Sequence, residues 1–386
     1  MQPRDASRRL IAASAIIGSI GTFSLHVLLP ALPAIAVAMG VAPHSAQLLI
    51  SLSILAIAFG NLAIAPLSDR YGRRPIVQAF GGGAAMSVMR ATILDHFGPG
   101  RAASALAATA TAILLAPMVA PSIGGFVLEW LDWHAVFALS GILGFAVFLF
   151  ASRNLRDARR ADRAAGPSLR YLSSYRRLFA SRDYRAFLVF GSCMVSMIYT
   201  FVTGAPYVAI DVLGVSPSRF GLLLFFPALA SFGGFLLASR VTSRFGGQRM
   251  MRAGAMIAFA GALSMTGLAL AGAWHPLALF VPGMAIGFAN AIAAPSATIG
   301  AISRDPAIAG AASGLLGFLQ LVTAAAATQL VAALSAHSPV PLAVVLLALC
   351  LASLLALRPI GRIPLDRPPA AQADPAGEPV ASEPTR

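Results

Sequence analysis

The sequence predicts an all-α polytopic membrane protein built from two related helical bundles. Three observations carry that prediction. Of the 386 residues, 58% are hydrophobic and only 11% charged, whereas ordinary globular chains carry about a quarter charged residues. Apolar runs recur at roughly the 20 residues a helix needs to cross hydrocarbon. A short basic loop also appears twice, after the second run of each half: Ser68-Asp-Arg-Tyr-Gly72 faces Thr242-Ser-Arg-Phe-Gly246. Repeated halves of this kind are a common construction for membrane carriers.

The N-terminal bundle takes residues 1–151. Arg4, Arg8 and Arg9 precede a first span from about Leu10 to Leu29, which is expected to end in Leu29-Pro-Ala-Leu-Pro33. No small-residue cleavage site follows, so this run reads as a transmembrane helix and not a signal peptide. A second span, about Gln47 to Leu67, enters the basic loop around Asp69, Arg70, Gly72 and Arg73. The stretch 76–94 is long enough for one crossing and too short for two. A span over about 103–128 carries Pro117, Pro121, Gly124 and Gly125; after the aromatic rim Glu129-Trp-Leu-Asp-Trp-His134, a fifth runs from Val136 to Phe150.

Residues 152–185 hold ten arginines and three aspartates. They are expected to form a cytoplasmic linker, with an amphipathic helix around Tyr171–Phe179 lying on lipid headgroups. Six further runs fill a C-terminal bundle over 186–357, and the Pro/Ala-rich segment 358–386 cannot bury a core. The formal net charge of +14 falls in loops between spans. It reads as an orientation signal beside anionic lipid and not as a groove for nucleic acid. Cys193 and Cys350 both lie inside apolar runs, which argues against a disulfide framework or a metal site. No paired carboxylates, nucleophile–base pair or phosphate loop suggests an enzyme.

The order Leu67-Ser-Asp-Arg-Tyr-Gly-Arg-Arg74 resembles the signature loop between the second and third helices of major facilitator superfamily transporters. Within that superfamily, Arg90-Ala-Thr-Ile-Leu-Asp95, Ala116-Pro-Met-Val-Ala-Pro-Ser-Ile-Gly-Gly125 and Trp130-Leu-Asp-Trp-His-Ala-Val-Phe137 resemble the Bcr/CflA drug-resistance transporters, as do Leu29-Pro-Ala-Leu-Pro33, Thr203-Gly-Ala-Pro-Tyr-Val208 and Ala309-Gly-Ala-Ala-Ser-Gly314. The likeness covers roughly residues 10–357. It implies a monomeric inner-membrane exporter of small amphiphilic drugs, working by alternating access and proton antiport without a cofactor. It further implies a conformational switch at Asp69, Arg70, Gly72 and Arg73, and an antiporter element at Pro117, Pro121, Gly124 and Gly125 that seals the two bundles together. Physically, the prolines remove backbone donors, and the glycines let a neighbouring helix approach closely. His26, Asn61, Tyr199, Tyr207, Asn290 and Gln320 are the polar candidates for a substrate-lining site, although Tyr199 and Gln320 read equally well as interhelical hydrogen-bond partners.

Two departures bear on function. The aspartate that the family carries at the start of Leu-Pro-Ala-Leu-Pro is replaced by His26, which can also titrate near neutral pH and is the proton-coupling candidate. A lone membrane histidine is equally often just hydrogen-bonded structure. The family's third helix, with the opening of its fourth, is absent at the Pro75–Ile76 junction, leaving five spans before the linker and six after it. Eleven crossings would place the basic loops of one half on the wrong side, unless 76–94 enters and leaves on one side by folding at Gly81-Gly-Gly83. Two other readings stay open: a metabolite exporter or facilitator without proton coupling, and a non-transporting remnant marked by that junction.

Overall fold

The computed structural model describes residues 16, 19–71, 115–154, 169–302, 309–334 and 338–360. Among them no strand occurs, and eleven helices follow one another: α1 Ser19–Ala38, α2 Pro43–Tyr71, α3 Leu115–Trp130, α4 Trp133–Asn154, α5 Leu169–Ala180, α6 Arg182–Pro206, α7 Pro217–Phe245, α8 Gly247–Leu270, α9 Pro276–Ile302, α10 Ala309–Leu334 and α11 Val340–Ile360. Eight are long and apolar enough to span a membrane, and α3 and α4 add shorter apolar stretches. The expected span over 76–94 lies outside the described residues.

Two helices run further than their sequences suggest. The first span does not stop at Leu29-Pro-Ala-Leu-Pro33. A single 3-10 turn at Leu29–Ala31 absorbs Pro30, and the helix continues from Leu32 to Ala38 with Pro33 in its first turn. Proline is tolerated there because the N–H it lacks has no helical partner at such a position. Likewise α2 continues past Leu67 to Tyr71, so Asp69 and Arg70 belong to the last turn of a helix and not to a loop. In the second copy the end of the helix is described. There α7 runs through Thr242 to Phe245 and ends at Gly246, whose φ of 81° is open to glycine and strained for residues with a Cβ.

The C-terminal bundle packs α9 against α8, α7 and α6, and places α11 between α6 and α8. Small residues set the spacing. A Cβ added to Gly254 would lie 2.7 Å from the Ala289 carbonyl oxygen, and one added to Gly234 would lie 2.8 Å from that of Phe288. On α6, the rings of Phe187 and Phe201, both fully buried, lie directly over Gly300 and Gly283 of α9. Hydrogen bonds from Tyr184 Oη to Ala312 O (2.7 Å) and from Gln248 Nε2 to Ile360 O (3.0 Å) tie helix ends together at the linker end of the bundle.

The linker helix α5 is amphipathic. Leu178 is buried against the bundle beside α10, whereas Arg176 is exposed. Arg182–Arg185, which the sequence assigns to the linker, already form the first turn of α6, capped by Ser181 Oγ accepting from Tyr184 N at 3.3 Å.

Helix directions bear on whether the two halves share one orientation. Pro43 at the start of α2 meets Tyr207 at the end of α6, and Glu129 at the end of α3 meets Ser218 at the start of α7. The ends of α1, α3 and α6 and the starts of α2, α4 and α7 therefore share one end of the molecule, hereafter the outer end. The linker, Phe245 and Ile360 share the other. Where described, α2 runs toward the linker side and α3 runs away from it. Paired reporters active on opposite membrane faces, fused at Arg160 and at Arg367, are expected to report the same side. Opposite readings would require one half to be inverted after all.

Candidate functional site

Where the two bundles meet, the contact is built at the outer end. Serine 122 of α3 donates from Oγ to Gly221 O of α7 at 3.0 Å. A Cβ on Gly221 would collide with the Pro121 carbonyl oxygen and lie 2.7 Å from Ser122 Cα, and one on Gly125 would collide with the Pro217 carbonyl oxygen. Gly124 faces the other way: its Cβ would meet Val27 O of α1, within the same half. Small residues thus bring three backbones together, the approach that lipid-embedded helices achieve only without side chains. Pro121 is buried and Pro117 half-buried, and α3 is helical throughout.

Two polar ties flank this contact. Glu129 Oε2 accepts from Ser218 N at 3.2 Å, placing an anion at the positive N-terminus of α7. On the opposite flank, Gln329 of α10 bridges α2: its Oε1 accepts from Ser51 Oγ at 3.1 Å, and its Nε2 donates to His44 O at 3.0 Å. Tyr207 Oη donates to Pro43 O at 3.1 Å. Deeper in, Phe59 of α2 meets Phe318 of α10 edge-on, with centroids 5.2 Å apart.

The predicted site residues are spread around this frame. Tyr207 sits in the outer closure, at the mouth of a six-residue π-helical turn, Tyr207–Val212. His26 is half-buried on α1, and its Nδ1 lies 2.7 Å from Thr22 O. A carbonyl only accepts, so Nδ1 carries a proton and Nε2 is the nitrogen left to exchange one. Tyr199, Asn290 and Gln320, all half-buried, lie on α6, α9 and α10. Gln320 Nε2 points at Gly191 of α6, 3.1 Å from where a Cβ would sit, and Asn290 Oδ1 is buried without a hydrogen-bond partner. Asn61, Asp69 and Arg70 lie on the last turns of α2, with side chains outside what the structure describes. Gly72 and Arg73 lie outside the described residues. Gln47, Ser51, Gln329 and the buried row Ser192, Ser196, Thr200 escaped sequence reasoning. The i, i+4, i+8 spacing of that row, all small hydroxyls in one apolar helix, was the available signal.

The rim between α3 and α4 is a helix cap. Asp132 Oδ1 accepts from Ala135 N at 2.8 Å and Oδ2 lies 2.9 Å from His134 Nδ1. The Ala135 amide first, and His134 second, hold this carboxyl below the usual carboxylate range. Its support for α4 is therefore present above the ordinary carboxylate pKa and is lost as pH falls through the lowered one. Replacing Asp132 with Ala is expected to lower the melting midpoint at neutral pH, and the gap to wild type should close in acid.

Residues 75–328 match the family model described as Major Facilitator Superfamily. The chain belongs to the major facilitator superfamily. Its members are transporters, not enzymes, and the resemblance to Bcr/CflA proteins holds among named relatives. A bicyclomycin resistance protein homolog of Haemophilus influenzae is 25% identical, over 89% of this chain and 93% of that protein. Multidrug resistance protein D of Escherichia coli is 24% identical over 87% of this chain and 90% of the relative. A chloramphenicol resistance protein of Pseudomonas aeruginosa is 25% identical, over 75% and 76%. The Haemophilus alignment runs over 382 positions, more than 89% of this 386-residue chain supplies, so that relative carries residues with no counterpart here. Among solved structures, a nucleoside transporter superposes with a TM-score of 0.68 at 12% identity, covering 91% of this chain and 98% of the transporter. A D-xylose–proton symporter gives 0.65 at 14%, covering 91% and 97%. These likenesses speak to the major facilitator fold.

Proposed function

We propose that this major facilitator protein exports small amphiphilic drugs by alternating access, driven by proton antiport, as a monomer in the bacterial inner membrane. The observation that carries the reading is the Pro121–Gly125 segment of α3 lying backbone to backbone against α7 of the other half. A carrier that releases substrate outward must separate that contact, and one that loads from the linker side must close it. The drug-resistance names of three relatives support the substrate class. Asp69, Arg70, Gly72 and Arg73 act as the switch at the linker end, where a charge-assisted bond of about 1.5–3 kcal/mol is enough to bias a two-state carrier. His26 carries the proton through Nε2. Tyr199, Asn290 and Gln320, with Asn61 from the first half, supply the few polar groups of an otherwise apolar site.

A facilitator without proton coupling is the second reading, favoured by one fact: His26 stands where a carboxylate is expected, and Glu129, Asp183 and Asp211 lie near helix ends. In drug-hypersensitive bacteria producing this chain, efflux of a lipophilic cationic dye is expected, and an uncoupler should abolish it. His26→Ala should remove the dependence on the gradient. Efflux that survives the uncoupler selects the facilitator, and no efflux across a panel of drugs sinks the export reading.

A further inference from the structure

We propose that the closed outer end holds one water molecule between the two bundles, hydrogen-bonded to the amide of Gln47. The site is a largely enclosed cavity bordered by Pro43 and Gln47 of α2, Gly204 of α6 with Tyr207 just beyond it, and Thr328 and Val331 of α10. Its volume open to a water's centre is about 10 Å³, close to the roughly 10–15 Å³ that one water requires.

Gln47 is the reason to fill it. The side chain is 1% exposed, and both its Nε2 and Oε1 are buried without a hydrogen-bond partner in the protein. One turn further along α2, on the same face, Ser51 does find Gln329 across the interface. An amide buried bare costs more than an ordinary hydrogen bond returns. Water offers what this amide lacks, a donor and an acceptor in one group.

The other polar groups at the cavity leave suitable lone pairs. Tyr207 Oη gives its proton to Pro43 O, so its oxygen can accept. Thr203 Oγ1 donates to Tyr199 O at 2.7 Å and lies 3.2 Å from Thr328 Oγ1. Thr328 can therefore give its proton to Thr203 and accept in turn. A water accepting from Gln47 Nε2 and donating to these oxygens meets the two to four partners that buried water needs. No charged side chain borders the cavity, and its size admits nothing larger than water.

Because Gln47 lies in the first half and Tyr207 and Thr328 in the second, this water ties the bundles beside the Gln329 bridge. When the outer end opens, the same amide meets solvent, so its Nε2 has a partner in either state. The inference depends on the closed outer end and not on what the carrier moves.

The test uses the full chain in lipid nanodiscs. A wild-type map fine enough to show ordered water is expected to contain a peak within hydrogen-bond reach of the Gln47 amide and the Tyr207 or Thr328 hydroxyl. Gln47→Leu, close in shape, should lower the melting midpoint by a few degrees, because it leaves the water without its amide partner. A map with no peak there overturns the proposal. So does a raised midpoint in Gln47→Leu, the result expected if the amide were simply bare in a dry gap. Should Gln47→Leu fail to insert, the wild-type map decides alone.

Discussion

Gly221→Val is expected to abolish transport while leaving the protein folded. The new side chain would be driven into the Pro121 carbonyl oxygen and Ser122 Cα of the other half, and neither is the movable end of a flexible side chain. Overpacking costs about 1–3 kcal/mol when neighbours can adjust. With backbone on both sides the upper end applies, a bias of roughly a hundredfold against outer closure. The penalty falls on one state only, since opening the outer end removes the clash. Membrane insertion and melting should stay near wild type. A cysteine introduced at Thr328 should become reactive to an impermeant thiol reagent in the Gly221→Val background, and remain shielded without it. Wild-type efflux from Gly221→Val would mean that α3 and α7 do not close as described.

Phe201→Ala should do the reverse, removing stability and not merely one conformation. The ring is fully buried, covers Gly283 of α9 and meets Phe280 at 90° with centroids 6.5 Å apart. Because Gly283 has no side chain to collapse into the space, the cavity persists, and Phe→Ala losses of about 3–5 kcal/mol apply. A large fall in the melting midpoint and in membrane yield is expected. Phe59→Ala is the contrast. Phe59 is 59% exposed and touches Phe318 only edge-on, so its loss should lower the midpoint much less. Equal effects would mean that the ring-on-glycine packing of α6 and α9 is not what holds the C-terminal bundle.

The bundles, the linker helix and the repeated helix end were legible because each leaves a local mark. Apolar length announces a span, and Tyr171, Tyr175 and Leu178 at helical spacing, with Arg176 and Arg177 between them, announce a surface helix that the structure places at Leu169–Ala180. The glycine that ends α7 was visible as the last residue of its repeat. The course of α1 was misread because Pro30 and Pro33 resemble terminators. Each falls in an opening turn, where proline breaks nothing. Of the close contact between the halves, Gly125 stood in a readable motif, whereas Gly221 opposite Pro121 did not. Ser51 and Gln329 are separated by 278 positions, and no period or motif connects them. Tyr207, read as a lining residue, meets a backbone oxygen, and an acceptor of that kind has no sequence signature at all.

Across the seam between α3 and α7, and around Tyr207, one partner is repeatedly main chain: the oxygens of Pro121, Pro217, Pro43 and Gly221. Main chain does not mutate. Where the carbonyl belongs to Pro121 or Pro217, substitutions can accumulate as long as the helix keeps its path, while the facing Gly221 or Gly125 has nothing it can become. Paired substitutions should therefore be scarce across this seam, and methods that infer contacts from correlated change should read one of the tightest surfaces in the molecule as silent.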